Sequence, residues 1–314
     1  MNPELKRISV VTGCFNEEEN IKELYEQVKL QFIDLPQYEY EHIFIDNSSK
    51  DNTVSILKQI AQADIRVKLI VNARNFGHIR SPYYALMQAT GDAVISIVAD
   101  LQDPPILIKE FIWKWEEGYK IVIGVKTQSQ ESPLFFAIRK AYYNLIGRLS
   151  EVKMIKNFTG FGLYDHKVIE ILRAIDDPYP YFRGLISDIG FDRAVIEYVQ
   201  PTRKRGFTKN NFYTLYDLAM LGITNHSKVP LRLATMTGFS VAIISLIVAL
   251  VYFIYKLISW DNFQVGMAPL VIGLFFFSSV QLIFIGILGE YIGAIHTQVQ
   301  KRPLVIEKER INFD

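Results

Sequence analysis

The chain has 314 residues with 34 Lys and Arg against 33 Asp and Glu, a balance that excludes a general nucleic-acid binder, since such proteins carry a clear basic excess. Its one cysteine, Cys14, excludes an intrachain disulfide framework and a cysteine-rich metal site; a small buried thiol in a reducing compartment is expected. Half of the residues are hydrophobic, but 1–230 mix charged and apolar groups like a soluble domain and 233–289 do not, so two organisational units are expected.

The chain begins MNPELKRISVVTG, without the charged start, apolar run and small-residue cleavage site of a secretory signal. The first unit is therefore expected in the cytoplasm. Strand-like runs follow at Ile8–Val11, His42–Ile45, Val67–Val71, Val94–Val98 and Ile121–Val125, with amphipathic stretches between most of them. This alternation predicts an α/β domain with a mostly parallel sheet covered by helices, which binds ligands beyond the carboxyl ends of its strands.

The polar residues after each run are thus the candidates. Thr12 to Asn20 form a turn and an acidic helix start, in which Asn16 caps a helix or meets a ligand. Asp46-Asn47-Ser48-Ser49 ends the second run in the same ambiguous way. After the fourth comes Ala99-Asp100-Leu101-Gln102-Asp103-Pro104-Pro105. Here a carboxylate and, two positions on, an amide oxygen share one side of an extended segment. Hard divalent ions take such oxygen ligands, holding few protein groups plus substrate phosphates, although Asp100 also suits a helix cap. The proline pair stops the strand and starts the next helix.

Before the apolar part, Phe212, Leu215, Tyr216, Ala219, Met220 and Ile223 recur at helical spacing opposite Asn211, Asp217 and Asn225. Such a helix lies in a membrane interface or packs on the soluble domain. Leu233–Tyr255 and Asn262–Gly289 are long enough, at about 1.5 Å per residue, to cross roughly 30 Å of hydrocarbon. Lys228 and Arg232 precede the first span and Lys301, Arg302, Lys308 and Arg310 follow the second, whereas Lys256–Asp261 between them holds little positive charge. The positive-inside rule predicts a hairpin with both ends cytoplasmic. Gln281 at mid-span and Glu290 near the exit need polar partners, either another helix or the same residue of a second copy, which motivates a homo-oligomer.

CFNEEENI, FIDNSSKDNT, RNFGH, GDAVISIVADLQDPP, KWEEGYKIVIGV, FTGFGLYDHKVI and RKRGFTKNNFY occur in this order, followed by the two spans. In this the chain resembles the polyisoprenyl-phosphate glycosyltransferases of glycosyltransferase family 2, the group of dolichol-phosphate mannose synthases and bacterial bactoprenol glucosyltransferases. The resemblance runs from about Ile8 to Gly289, and spans at the C-terminal end match the bactoprenol branch best. It implies a cytoplasmic GT-A catalytic domain, Rossmann-like with a mostly parallel sheet, over 1–210. It further implies an amphipathic juxtamembrane helix over 211–230, two transmembrane helices over 231–295 and a cytoplasmic tail over 296–314.

The implied reaction moves a sugar from a UDP-sugar to a polyisoprenyl phosphate with inversion, and FTGFGLYDHK favours glucose. Matching positions put Phe15, Asn16, Glu17, Asp46 and Arg74 on the nucleotide-sugar and Asp100 with Gln102 on Mg²⁺ or Mn²⁺. Asp103 is implied at the donor sugar or its loop, and Arg139, Arg203 and Lys209 at phosphates. A basic collar for the membrane surface is the other reading of those three cations. Two segments depart from the family pattern: Val98 replaces the first Asp of Asp-Ala-Asp, and Asn47-Ser48-Ser49 replaces Asp-Gly-Ser. A processive polysaccharide synthase would carry Gln-x-x-Arg-Trp and more spans. A non-catalytic scaffold or lipid-flipping component has no use for ADLQDPP beside RNFGH.

Overall fold

The computed structural model describes residues 5–128, 155, 157–201, 216–217, 220–224, 227–258 and 267–313. The five hydrophobic runs form β1 (Lys6–Cys14), β2 (Tyr38–Asp46), β3 (Val67–Asn72), β4 (Ala93–Val98) and β5 (Ile121–Gln128). The sheet also contains β6 (Phe158–Asp165), β7 (Arg193–Val199) and β8 (Glu307–Ile311), in the order β7-β5-β6-β4-β1-β2-β3-β8. Strands β4, β1, β2 and β3 run parallel, as does β7 with β5, whereas β6 and β8 are antiparallel to their neighbours. The sheet is therefore mixed, with a parallel centre.

Successive residues of a strand point to opposite faces, and here both faces are covered. Val10, Phe44 and Leu69 enter the core beneath α1 (Ile21–Ile33), α2 (Thr53–Ala63) and α4 (Ile108–Glu116). Their neighbours Val11, Ile43, Ile45 and Ile70 enter the core beneath α3 (Gly77–Gln88), α5 (His166–Ile175) and α6 (Phe182–Asp188). On α1 the buried Leu24, Val28 and Phe32 recur every four residues, and full burial of such side chains stabilises by about 1.5–3 kcal/mol each. At the amino-terminal edge, buried Glu41 is held by Ser9, Thr90 and Lys68, so this carboxylate serves the sheet.

His42 is fully buried on β2, its Nε2 3.0 Å from the Thr12 hydroxyl and its ring 3.9 Å from that of Phe44. Its Nδ1 has no partner among the described residues, and burial lowers its pKa from 6.5 to about 3. Because the unfolded imidazole takes a proton near pH 6.5 and the folded one does not, this stability is present above that pH and lost as pH falls towards 3. The expected loss is about 2 kcal/mol between pH 7 and 5. Melting of the full chain in detergent across that range should show it, and His42→Gln should flatten the dependence. A wild-type profile as flat as the variant's would contradict the assignment.

The apolar part forms α7 (Val229–Ile258) and α8 (Met267–Gln300). With 30 and 34 residues, each exceeds the roughly 20 needed to span a bilayer. Their apolar windows have mean hydropathies of 2.5 and 2.4 and bury no residue against protein. Both are candidate membrane spans, since apolar surface bare of protein requires lipid around it. Residues 216–217 and 220–224 are helical, and the Tyr216 hydroxyl donates to Glu290 at 2.8 Å. Glu290 thus has a partner inside its own chain, which removes one motive for an oligomer; Gln281 is exposed.

The C-terminal stretch differs from expectation. Where a tail is expected over 296–314, residues 296–313 do not hang free: α8 runs on to Gln300, Lys301 turns the chain with φ 45°, and β8 adds an antiparallel strand to β3. Around it, Lys58 pairs with Glu309, Tyr84 donates to Glu307, and the Asn312 amide donates to the carbonyls of Ala61 and Val67. On its C-terminal side the hairpin is therefore joined directly to the sheet.

Candidate active site

The carboxyl ends of β1, β2 and β4 lie side by side, with Cys14 opposite Asp46 and Gly13 opposite Val98. Just beyond each end one non-glycine residue takes the left-handed conformation: Asn16 (φ 53°), Ser48 (φ 66°) and Leu101 (φ 58°). A bulky leucine there is a genuine outlier, and each such residue costs on the order of 1–3 kcal/mol. Three of them on one sheet edge make it the candidate site.

The first two loops clasp each other. Asn16 N–H donates to Ser49 Oγ and Lys50 N–H to Asn16 Oδ1, both at 2.8 Å. Glu17 N–H donates to the Thr53 hydroxyl at 2.8 Å, and the Glu17 carboxylate accepts from Asn20. Asn16 therefore does not cap α1; its amide oxygen holds the opposite loop. Phe15 lies between Cys14 and this clasp, half-buried.

Asp46 is fully buried and accepts from both the backbone and the hydroxyl of Ser49. Burial pushes its carboxyl above the usual range, opposed by those hydrogen bonds. In this structure the carboxylate is turned inward and shapes the Ser48–Ser49 turn. Cys14 beside it is buried, with burial and Asp46 raising its thiol pKa, so it is an inert thiol.

Asn47 is buried and fully used. Its amide donates to Asn75 Oδ1 and the Gly77 carbonyl, both at 3.0 Å, while its oxygen accepts from Phe76 N–H at 2.8 Å and from Asn72. The RNFGH segment after β3 is thus tied to the end of β2. Arg74 is exposed on this segment, its guanidinium 4.0 Å from the centroid of the Phe76 ring.

At the end of β4, Val98 is 43% exposed, an apolar patch where the family pattern has a carboxylate. Asp100 is half-buried, and its Oδ1 accepts from Gln102 N–H at 3.1 Å across the Leu101 turn. Asp103 is buried and accepts from the Tyr198 hydroxyl at 2.9 Å; burial raises its pKa from 3.8 to about 6. Tyr198 escapes the sequence reading, although it faces inward on β7 and a buried phenol needs a partner. Its bond to Asp103 pins the loop from the far strand.

No group of three or more His, Cys, Asp or Glu able to hold a metal exists among the described residues. Asp100 with the Gln102 amide offers a sparse, all-oxygen set, which fits a hard divalent ion completed by substrate phosphates. Arg139, Arg203 and Lys209 lie outside the described residues.

The family model for glycosyl transferase family 2 matches residues 9–173, which include all three strand ends and the Asp100 loop. The chain belongs to glycosyl transferase family 2. This transferase is 35% identical to the uncharacterized glycosyltransferase YkcC of Bacillus subtilis, over 98% of its own length and 94% of the relative's. It is 36% identical to the SfII prophage-derived bactoprenol glucosyl transferase of Shigella flexneri, over 96% and 98% of the two chains. The alignments therefore extend through the apolar helices. Among solved structures, glucosyl-3-phosphoglycerate synthase from Mycobacterium tuberculosis, in complex with Mn²⁺, uridine diphosphate and phosphoglyceric acid, aligns at 18% identity. That alignment has a TM-score of 0.45 and covers 70% of this chain and 76% of that one.

Proposed function

We propose that the transferase moves a hexosyl group, glucose first among the candidates, from a UDP-sugar to the phosphate of a polyisoprenyl lipid such as undecaprenyl or dolichyl phosphate. The observation that carries this is that the chain leaving a bare apolar hairpin returns as an edge strand of the catalytic sheet, which supports a lipid acceptor. Near-full-length relatives named bactoprenol glucosyl transferase support the choice of acceptor and sugar.

A phosphomonoester with a second pKa near 6 is already largely dianionic at neutral pH, so its oxygen needs no strong general base. That oxygen attacks the anomeric carbon as the bond to the nucleotide oxygen breaks, inverting configuration and releasing UDP. The chain's own task is to align the reacting atoms and stabilise the leaving charge. Phe15, Asn16 and Glu17, held by the clasp, together with Arg74, line the nucleotide side; Asp46 keeps the adjacent turn in shape. Asp100 and Gln102 would hold Mg²⁺ or Mn²⁺, which would neutralise diphosphate charge. Asp103, fixed by Tyr198, holds the donor loop. Arg139, Arg203 and Lys209 are assigned to phosphates, the latter two to that of the lipid.

Incubating the purified protein with a panel of radiolabelled nucleotide-sugars and undecaprenyl phosphate tests this reading. Label from UDP-glucose should enter the extracted lipid; label from another donor alone would redirect the sugar assignment.

We further assign both termini to the cytoplasm. β8 in the catalytic sheet supports two crossings that return the chain to the side it left, and the Lys and Arg distribution supports the cytoplasm as that side. Since Cys14 is buried, an introduced thiol reports without background. An impermeant reagent on intact cells should label Asn262→Cys and spare Asp314→Cys; the reverse pattern would overturn the topology.

A further inference from the structure

Arg74 and Arg80 lie beside the segment where the membrane hairpin rejoins the sheet, the segment that carries Arg302. The guanidiniums of Arg74 and Arg80 lie 4.0 and 5.5 Å from the centroid of the buried Phe76 ring. Arg80 also donates through Nη2 to the carbonyl of Pro303, the neighbour of Arg302. Among the described residues, no carboxylate makes an ion pair with any of the three, and the buried Nε of Arg80 has no hydrogen-bond partner. Glu307, on the same returning segment, is taken by Arg310 and Tyr84.

We propose that Arg74, Arg80 and Arg302 form a phosphate-binding site, distinct from the metal-side loop of Asp100. Guanidinium cannot shed its charge in a protein, so Arg74 and Arg80 over one ring, with Arg302 next to the carbonyl that Arg80 reaches, repel each other until an anion enters. Burial and the neighbouring Arg74 lower the Arg80 pKa, with Tyr179 opposing and Arg302 adding to the lowering. A phosphate matches the planar fork of Arg, would accept from the orphaned Nε–H, and would meet the amino end of α3, in whose first turn Arg80 stands. Arg302 follows the end of α8 by two residues and Arg74 stands on the loop after β3. The phosphate is therefore that of a lipid headgroup reached from the membrane side or of a nucleotide or free anion reached from the strand ends.

The full chain in uncharged detergent, free of divalent ions, is titrated calorimetrically with inorganic pyrophosphate and, separately, with short-chain phosphatidylglycerol. For one of these probes, Arg80→Gln and Arg302→Gln should each weaken binding at least about tenfold, with Arg80→Lys keeping part of it. The probe affected names the source. Because Arg80 also bonds to Pro303, the exposed Arg302→Gln, checked for unchanged melting, decides if Arg80→Gln unfolds. Binding of both probes by Arg302→Gln within twofold of wild type overturns the site. No sugar transfer enters the measurement, so that failure would leave the proposed reaction untouched.

Discussion

Asp100→Asn lowers sugar transfer at least about a hundredfold while the protein folds and inserts as before. Asp100 is the carboxylate on the exposed side of its turn, whereas Asp103 is buried and committed to Tyr198. With Val98 where the family pattern has another Asp, no second carboxylate on β4 shares its load. An asparagine oxygen still accepts from Gln102 N–H, so the Leu101 turn survives and only the charge is lost. Turnover is measured against Mg²⁺ concentration, with Mn²⁺ binding followed separately by electron paramagnetic resonance. Activity within about threefold of wild type, or wild-type activity in excess EDTA, would sink the metal assignment.

The second large effect is expected at Asn47. Asn47→Ala removes an acceptor from Phe76 N–H and Asn72, and a donor from Asn75 and the Gly77 carbonyl, all at a buried position. Leaving a buried backbone N–H unpaired, with side-chain amides beside it, costs about 3 kcal/mol. For a domain of this size the melting temperature should fall by roughly 6–12 °C. Since the RNFGH segment is held chiefly through this residue, UDP affinity should fall as well. Asn47→Asp keeps the acceptor but aims a carboxylate at two oxygens, so it should rescue little. Melting within about 2 °C of wild type and unchanged UDP binding would show that the segment is held by other means.

The parallel centre of the sheet was legible because β1 to β4 are buried on both faces and read as largely apolar runs. The remaining strands carry weaker signals for separate reasons. In β6 glycine interrupts the run, and Gly162 is required there: an added Cβ would stand 2.3 Å from the Val122 carbonyl oxygen on β5. β7 alternates strictly, with Ala194, Ile196 and Tyr198 inward, but Val195 and Val199 on its exposed face blur the pattern. β8 reads Glu-Lys-Glu-Arg-Ile and has no hydrophobic signature, since an edge strand is held by backbone hydrogen bonds and by ion pairs such as Lys58–Glu309.

At the site, residue types at strand ends gave the location but not the orientation. Asp46 looks like a ligand-facing carboxylate in sequence, yet the left-handed Ser48 folds the chain so that Ser49 caps it inside. Asn16 belongs to the residue type that most readily takes a positive φ after glycine, but nothing in Ser48 or Leu101 announces one. Asn47, a departure from the family pattern, proves to be the fastener of the RNFGH segment.

The central claim is that the acceptor is the phosphate of a polyisoprenyl lipid. The most direct test offers the full-length protein UDP-[¹⁴C]glucose with either undecaprenyl phosphate or undecaprenol, followed by solvent extraction and mass analysis of the lipid. A glucosyl phosphodiester formed only from the phosphorylated lipid, with UDP released in equal amount, is the predicted result. Label on undecaprenol, label in a growing polysaccharide, or no transfer to either lipid from any nucleotide-sugar would contradict it.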